Sequence, residues 1–151
     1  MKYLILCILI SVVAAEKLYT TRYDNIDLDK ILKNTRLLNV YIGCLMSKAR
    51  AVCNNEGTYL KAKLPEAIDN DCKLCTDRQK IGAFKAIDYL ISNHAAIWRE
   101  IQEKFDPDDE FRVRNKVLLE YCHQHEDDFN DQEFLALFKR YVKPRVHQSR
   151  G

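Results

Sequence analysis

The chain has 151 residues, with 24 Lys and Arg set against 22 Asp and Glu for a formal net charge of +2. So even a balance argues against nucleic acid as the main partner. Hydrophobic residues make up 47%, with four glycines, three prolines and no low-complexity tract or internal repeat, which suits one compact domain with a modest core.

Residues 1–15 have the form of a secretory signal peptide. Lys2 supplies the charged start, Leu4 to Val13 an apolar run, and Val13-Ala14-Ala15 the small residues before a cleavage site at Glu16. The run is about half the roughly twenty residues needed to cross a bilayer, and no later segment matches it, so no membrane anchor is expected. Cleavage removes Lys2 and Cys7, leaving five of the six cysteines and a formal charge of +1. The mature protein is expected to be secreted and extracellular.

From there apolar residues recur at three- and four-residue spacing almost throughout, which predicts an all-α chain. Ile26, Leu28, Ile31 and Leu32 suit a first short helix, and Leu37, Leu38, Tyr41, Ile42 and Leu45 a second carrying Cys44. A turn is expected at Asn54-Asn55-Glu56-Gly57. Leu60, Leu64, Ala67 and Ile68 form a third helical face, in which Pro65 predicts a kink or a late start. After a corner at Cys72 to Cys75, Thr76-Asp77-Arg78-Gln79 has capping-box form and opens a longer helix with Ala83, Ile87, Leu90 and Ile91 on one side. Ile97, Trp98, Ile101 and Phe105 continue a fifth, broken at Asp106-Pro107, and Phe111, Val113, Val117, Leu118 and Tyr121 make a sixth.

Beyond Cys122, acids crowd between Glu126 and Glu133 and basic residues between Lys139 and Arg150. This predicts one more helix over 131–142, capped by Asn130 and Glu133, charged to suit its dipole and stopped by Pro144. Phe134, Leu135, Leu137, Phe138, Tyr141 and Val142 give it too much apolar surface to stand free, so it should dock on the domain or on another chain. The chain divides accordingly into the leader, a helical domain over 16–122 and a C-terminal extension over 123–151.

Cys44, Cys53, Cys72 and Cys75 are separated by eight, eighteen and two residues. In an exported chain such a set reads as two disulfides rather than a four-thiolate zinc site or a thioredoxin-like redox pair, for which no βαβ pattern is present. Spacing leaves three pairings open. Cys122 is left unpaired, as a buried inert thiol, a capped thiol or the bridge of a homodimer.

The mature chain has three serines and no Gly-x-Ser-x-Gly, His-Glu-x-x-His or phosphate loop, so no enzymatic activity, cofactor or resident metal is expected. His123 and His125 beside Glu126, Asp127 and Asp128 read as a solvated loop before a metal site. His94 reads as a surface or partly packed residue. An apolar interior remains as the feature that can act, and periodicity does not tell a filled core from a channel.

Residues 19 to about 114 resemble the insect chemosensory proteins, a pheromone-binding-like family of small secreted carriers. The resemblance rests on Tyr19-Thr20-Thr21-Arg22-Tyr23-Asp24-Asn25-Ile26-Asp27-Leu28-Asp29, the four-cysteine pattern, Leu64-Pro65-Glu66-Ala67, Lys73-Leu74-Cys75-Thr76, Gln79-Lys80-Ile81-Gly82-Ala83, and Ile97-Trp98 followed by Phe105-Asp106-Pro107. The first cysteine interval is eight residues where six is commonest in that family, and the region after Arg114 is longer than usual. The resemblance implies a compact six-helix fold around an apolar channel, with local bridges Cys44 to Cys53 and Cys72 to Cys75; the helix over 131–142 would be extra. Closing rings of these sizes contributes about 2.7 and about 1.9 kcal/mol on a chain-entropy view.

The same resemblance implies Tyr23 and Tyr41 near the channel mouth, Trp98 against its interior, Phe111 beside the last helix and Gln79 as a buried polar contact, although Gln79 also suits a helix cap. Helical facing adds Leu45, Leu64, Ile68, Ala83, Ile87, Leu90 and Ile101 as aliphatic lining. The expected partner is a small hydrophobic ligand such as a pheromone, an odorant, a fatty acid, alcohol or ester, or another lipid. A receptor or other secreted protein is the further partner considered, and the chain is expected as a monomer or a Cys122-linked homodimer. The rival readings are a secreted protein-interaction, developmental or defence factor, and a membrane-active helical protein whose charge is low for that role.

Overall fold

The computed structural model describes residues 17–48 and 51–142; the leader, Pro144 and the basic residues beyond it lie outside the described residues. The described chain is helical, without a strand. A 3-10 turn at Thr21–Tyr23 precedes α1 (Leu28–Lys33) and α2 (Thr35–Leu45). Asp27 caps α1 by accepting from the Lys30 N–H at 3.0 Å, and Asn34 caps α2 by accepting from Leu37 at 3.1 Å; each satisfies a donor that the first helical turn leaves without a partner.

The turn expected at 54–57 is instead the start of α3 (Asn55–Asp69). Asn54 is its cap, its Oδ1 accepting from the Gly57 N–H at 2.7 Å. A Cβ at Gly57 would lie 2.9 Å from that oxygen and 3.2 Å from the Cys44 sulfur, so this glycine serves a close approach of α2 and α3. Helix α3 therefore starts well before Pro65 and runs through it, correcting the expected late start. The Cys44–Cys53 bridge ties the end of α2 to the approach to α3, and Cys72–Cys75 closes the corner after α3, as the resemblance implied.

Helix α4 (Asp77–Asn93) opens on the expected capping box: Gln79 N–H donates to Thr76 Oγ1 at 3.2 Å, and Thr76 N–H donates to Gln79 Oε1 at 3.1 Å. Helix α5 (Ala95–Phe105) ends at Asp106, where the following proline disfavours helical backbone. Asp106 is itself buried, and its carboxylate accepts from the N–H groups of Phe111 at 3.0 Å and Arg112 at 3.3 Å. It thus supplies the start of the next helix, where Asp109 makes no side-chain cap.

The expected sixth helix is two, α6 (Glu110–Arg114) and α7 (Lys116–Gln124). Asn115 parts them. Its buried Nδ2 donates to Asp71 Oδ1 and to the Phe111 carbonyl, both at 2.9 Å, and Arg114 pairs with Asp71 beside it. These bonds pin the joint to the left-handed Asp71 at the end of α3. The extra helix is α8 (Asp131–Tyr141), capped by Asn130, which accepts from Gln132 and Glu133. Glu133 does not complete a box; its carboxylate accepts from the Tyr121 hydroxyl at 3.2 Å.

Helix α4 is the shared wall, packed against α1, α5, α7 and α8. Its apolar residues run most of the way around, from Ile81, Ala83 and Phe84 to Ala86, Ile87, Tyr89 and Leu90, as a helix buried on two sides requires. The interior falls into two clusters on its two flanks. One is largely aliphatic and drawn from α1, α2, α4 and α5; the other is aromatic, built from α4, α6, α7, α8 and the Cys72–Cys75 corner. No helix among the described residues is long and apolar enough to cross a membrane.

Candidate functional site

The aliphatic cluster is built from Leu32, Leu38, Ile42, Leu45, Leu90 and Ile101, all buried. Around them pack Leu28, Met46, Leu64, Ala86, Tyr89, Ile97, Trp98 and Phe105, each only partly covered. Branched aliphatics fill its centre, and the unbranched Met46 and larger rings stand at its margin. Lys104 Nζ donates to the Leu45 carbonyl at 3.2 Å, fastening the end of α2 to α5. Of the residues anticipated as ligand contacts, Leu45, Leu64, Leu90, Trp98 and Ile101 meet here.

Ile68, Ala83, Ile87 and Phe111 belong to the other cluster. There Phe84, without exposed surface, lies 5.8 Å from Phe111, 5.5 Å from Phe134 and 6.0 Å from Phe138 between ring centroids. Phe134 also lies 5.4 Å from Phe129 and 6.2 Å from Tyr121. These separations are those of tilted and edge-on aromatic packing. Sequence reasoning did not single out Phe84, because Ala83, Ile87, Leu90 and Ile91 had been read as the one apolar side of α4. The signal was the near-continuous apolar run from Ile81 to Ile91.

Tyr23, Tyr41 and Gln79 lie in neither cluster. The Tyr23 ring is 5.1 Å from Tyr59, and the Tyr41 hydroxyl accepts from Asn54 Nδ2 at 3.1 Å. Gln79 closes the capping box while its Nε2 donates to the Thr20 carbonyl and to Asp24 Oδ1, both at 2.8 Å. Its amide thus holds the N-terminal segment on α4.

Open cavities lie at the surface of the described residues. A groove of about 830 Å³ runs beside the outer face of α2, lined by Arg36, Val40, Lys48 and Val52 among others. A smaller one of about 220 Å³ lies between the end of α3 and the α5–α6 corner, lined by residues that include Ile68, Phe105 and Arg114. Of the anticipated ligand contacts, these two cavities touch only Ile68.

Cys122 is free and buried in the aromatic cluster. Burial, reinforced by the Asp88 carboxylate, pushes its thiol up to about 12 from an ordinary 9.0. Nearby, His123 Nδ1 stands 3.5 Å from Asp88 and from Ser92 Oγ; burial raises the Asp88 carboxyl and the histidine opposes that rise. His125 turns to Asp128 at 3.0 Å instead of joining His123, and no metal-ligating cluster occurs among the described residues.

Residues 19–113 match the profile of the Insect pheromone-binding family, A10/OS-D. The chain is 42% identical over 108 residues to ejaculatory bulb-specific protein 3 of Drosophila melanogaster, covering 72% of this chain and 84% of that one. Among solved structures it is similar to a chemosensory protein in complex with bromo-dodecanol, at 46% identity and a TM-score of 0.61 over 66% of this chain and 97% of that one. It is also similar to antennal chemosensory protein A6 from the moth Mamestra brassicae, at 43% identity and a TM-score of 0.54 over 63% and 91% of the two chains. An all-helical bundle with two local disulfides, matched along most of its length in sequence and shape, belongs to the insect pheromone-binding family A10/OS-D.

Proposed function

We propose that this protein is a secreted carrier that takes up a linear hydrophobic molecule of roughly ten to sixteen carbons in its aliphatic cluster and releases it unchanged. Fatty alcohols, acids and esters, odorants, pheromones and other lipids have the chemistry to fit. The observation that carries the reading is the relative that holds bromo-dodecanol, because 97% of that chain is matched by 66% of this one. The leader over 1–15 supports secretion, and the carrier unit is placed at 16–122 with the 123–151 extension added to it. No covalent step is assigned.

The driving force is desolvation. Each methylene moved out of water contributes about 0.8 kcal/mol, or about fourfold in affinity. Leu45, Leu64, Leu90 and Ile101 would meet the alkyl chain, and Trp98, the single tryptophan, would report its arrival. Tyr23 and Tyr41 stand as candidates for the head group at the mouth, a hydroxyl on each being able to bond an alcohol, ester or acid. The test is titration of Trp98 fluorescence with linear alcohols of increasing length. Affinity should climb with length across the shorter alcohols; affinity independent of length throughout contradicts the reading.

A second reading, a protein-interaction factor of development or defence, draws on Val40 and Val52, which lie exposed beside the α2 groove. Capture of a secreted partner that is lost in Val40→Asp and kept when the aliphatic cluster is altered would favour it over the carrier.

A further inference from the structure

Helix α4 carries Leu90 into the aliphatic part of the interior and Phe84 into the aromatic part. The aromatic part is filled by the chain itself. Phe134 has no exposed surface and Phe138 is 5% exposed, and both rings come from α8, beyond the family profile's end at residue 113. The relative that holds bromo-dodecanol is 97% covered by 66% of this chain, and α8 lies outside the 19–113 stretch that matches the family.

We propose that α8 is a built-in stopper that sets the longest ligand the interior accepts, with Phe134 and Phe138 as the residues that determine it. The inference rests on the carrier reading above. Leu90, Ile87 and Phe84 step along α4 at three-residue intervals, so an alkyl chain laid along them from Leu90 would end at those two rings. The stopper is held by more than apolar contact. The single Tyr121 hydroxyl proton is shared between the Asn130 carbonyl at 3.3 Å and the Glu133 carboxylate at 3.2 Å. The Lys80 ammonium lies 5.0 Å from the Phe138 ring, and Lys85 lies 4.0 Å from that of Phe129, distances at which a cation is attracted to a ring face. Taking away one ring leaves an apolar void of the kind that, at on the order of 150 Å³, stays dry and takes up benzene.

The experiment uses the full mature chain and its Phe134→Ala and Phe138→Ala variants, titrated with linear alcohols of roughly eight to eighteen carbons, each added methylene being worth about fourfold. Phe134→Leu is the milder variant should Ala at that position prevent folding, and Tyr141→Ala, on the exposed face of α8, is the control. In the wild type, affinity should rise with length and then level off. In the Phe variants the rise should continue for roughly two to four more carbons, so that the longest alcohols gain on the order of tenfold or more while the shortest are unchanged. The control should keep the wild-type profile. Variants that bind with the wild-type length limit overturn the stopper and leave the carrier reading standing. Binding by the variants and not by the wild type overturns both, since a plug that excludes every length sets no length limit, and binding by neither overturns both as well.

Discussion

Truncating Phe84 to alanine tests the packing on which the aromatic end depends. The side chain projects from α4 into a site closed by α6 and α8, with three phenylalanine rings at centroid distances of 5.5, 5.8 and 6.0 Å. A fully buried phenylalanine cut to alanine loses its transfer free energy and leaves a cavity, at about 3–5 kcal/mol together. A domain of this kind is stable by about 5–15 kcal/mol, so the variant should lose a large share of its margin and melt roughly 10–20 °C lower. Val113→Ala, at a position 67% exposed on α6, should change stability by less than about 0.5 kcal/mol. Urea unfolding followed by circular dichroism measures both, and the midpoint should move without a change in slope. In a double-mutant cycle, Phe84→Ala and Phe134→Ala should couple by about 0.5–3 kcal/mol, as residues in contact do. A loss under about 1 kcal/mol for Phe84→Ala, or additive behaviour of the pair, would refute the view that these rings form one filled core.

Reducing both disulfides should lower the urea midpoint while leaving the helical circular dichroism in place, because each bridge closes a local ring and neither crosses the core; collapse of the helical signal on reduction alone contradicts this. Cys122 should resist thiol reagents in the native state, react once denatured, and leave the chain monomeric on a non-reducing gel; ready native labelling or a disulfide-linked dimer contradicts its burial. Because its thiol ionises near 9 when unfolded and at about 12 when folded, the unfolded state sheds its proton first, so the stability this group contributes is full below pH 9 and falls as pH rises toward 12; Cys122→Ala should flatten that part of the pH profile. Gln79→Ala removes the reciprocal cap and both bonds to the N-terminal segment, costing about 1–2 kcal/mol and speeding amide exchange across residues 20–24; unchanged exchange there sinks the clamp.

The sequence carries most of the helices because their apolar spacing and caps are local. Thr76 with Gln79 and Asn130 ahead of α8 are readable as written, since a cap needs only its own first turn. The bridge pairing came from resemblance, as spacing allowed three choices. What stayed hidden depends on contacts distant in sequence. Asn115 splits α6 from α7 because its side chain reaches Asp71, and nothing beside it in the chain announces that partner. The start of α3 at Asn55 was obscured because Asn54 and Gly57 carry turn chemistry, and their approach to Cys44 is what makes a helix start there. For the candidate site, the anticipated aliphatic contacts are all apolar positions on helices, yet periodicity does not say which flank of α4 each one faces. The structure divides them between two clusters for that reason, with Phe84 at the centre of one.

The aliphatic cluster between α2, α4 and α5 is the proposed seat of the ligand. A crystal of the mature protein grown with bromo-dodecanol tests it most directly, because the bromine can be located by its anomalous scattering. An alkyl chain should appear in contact with Leu45, Leu90 and Ile101, with Trp98 alongside. A bromine confined to the outer groove of α2, or an interior closed by its own side chains with no alcohol bound, would contradict it.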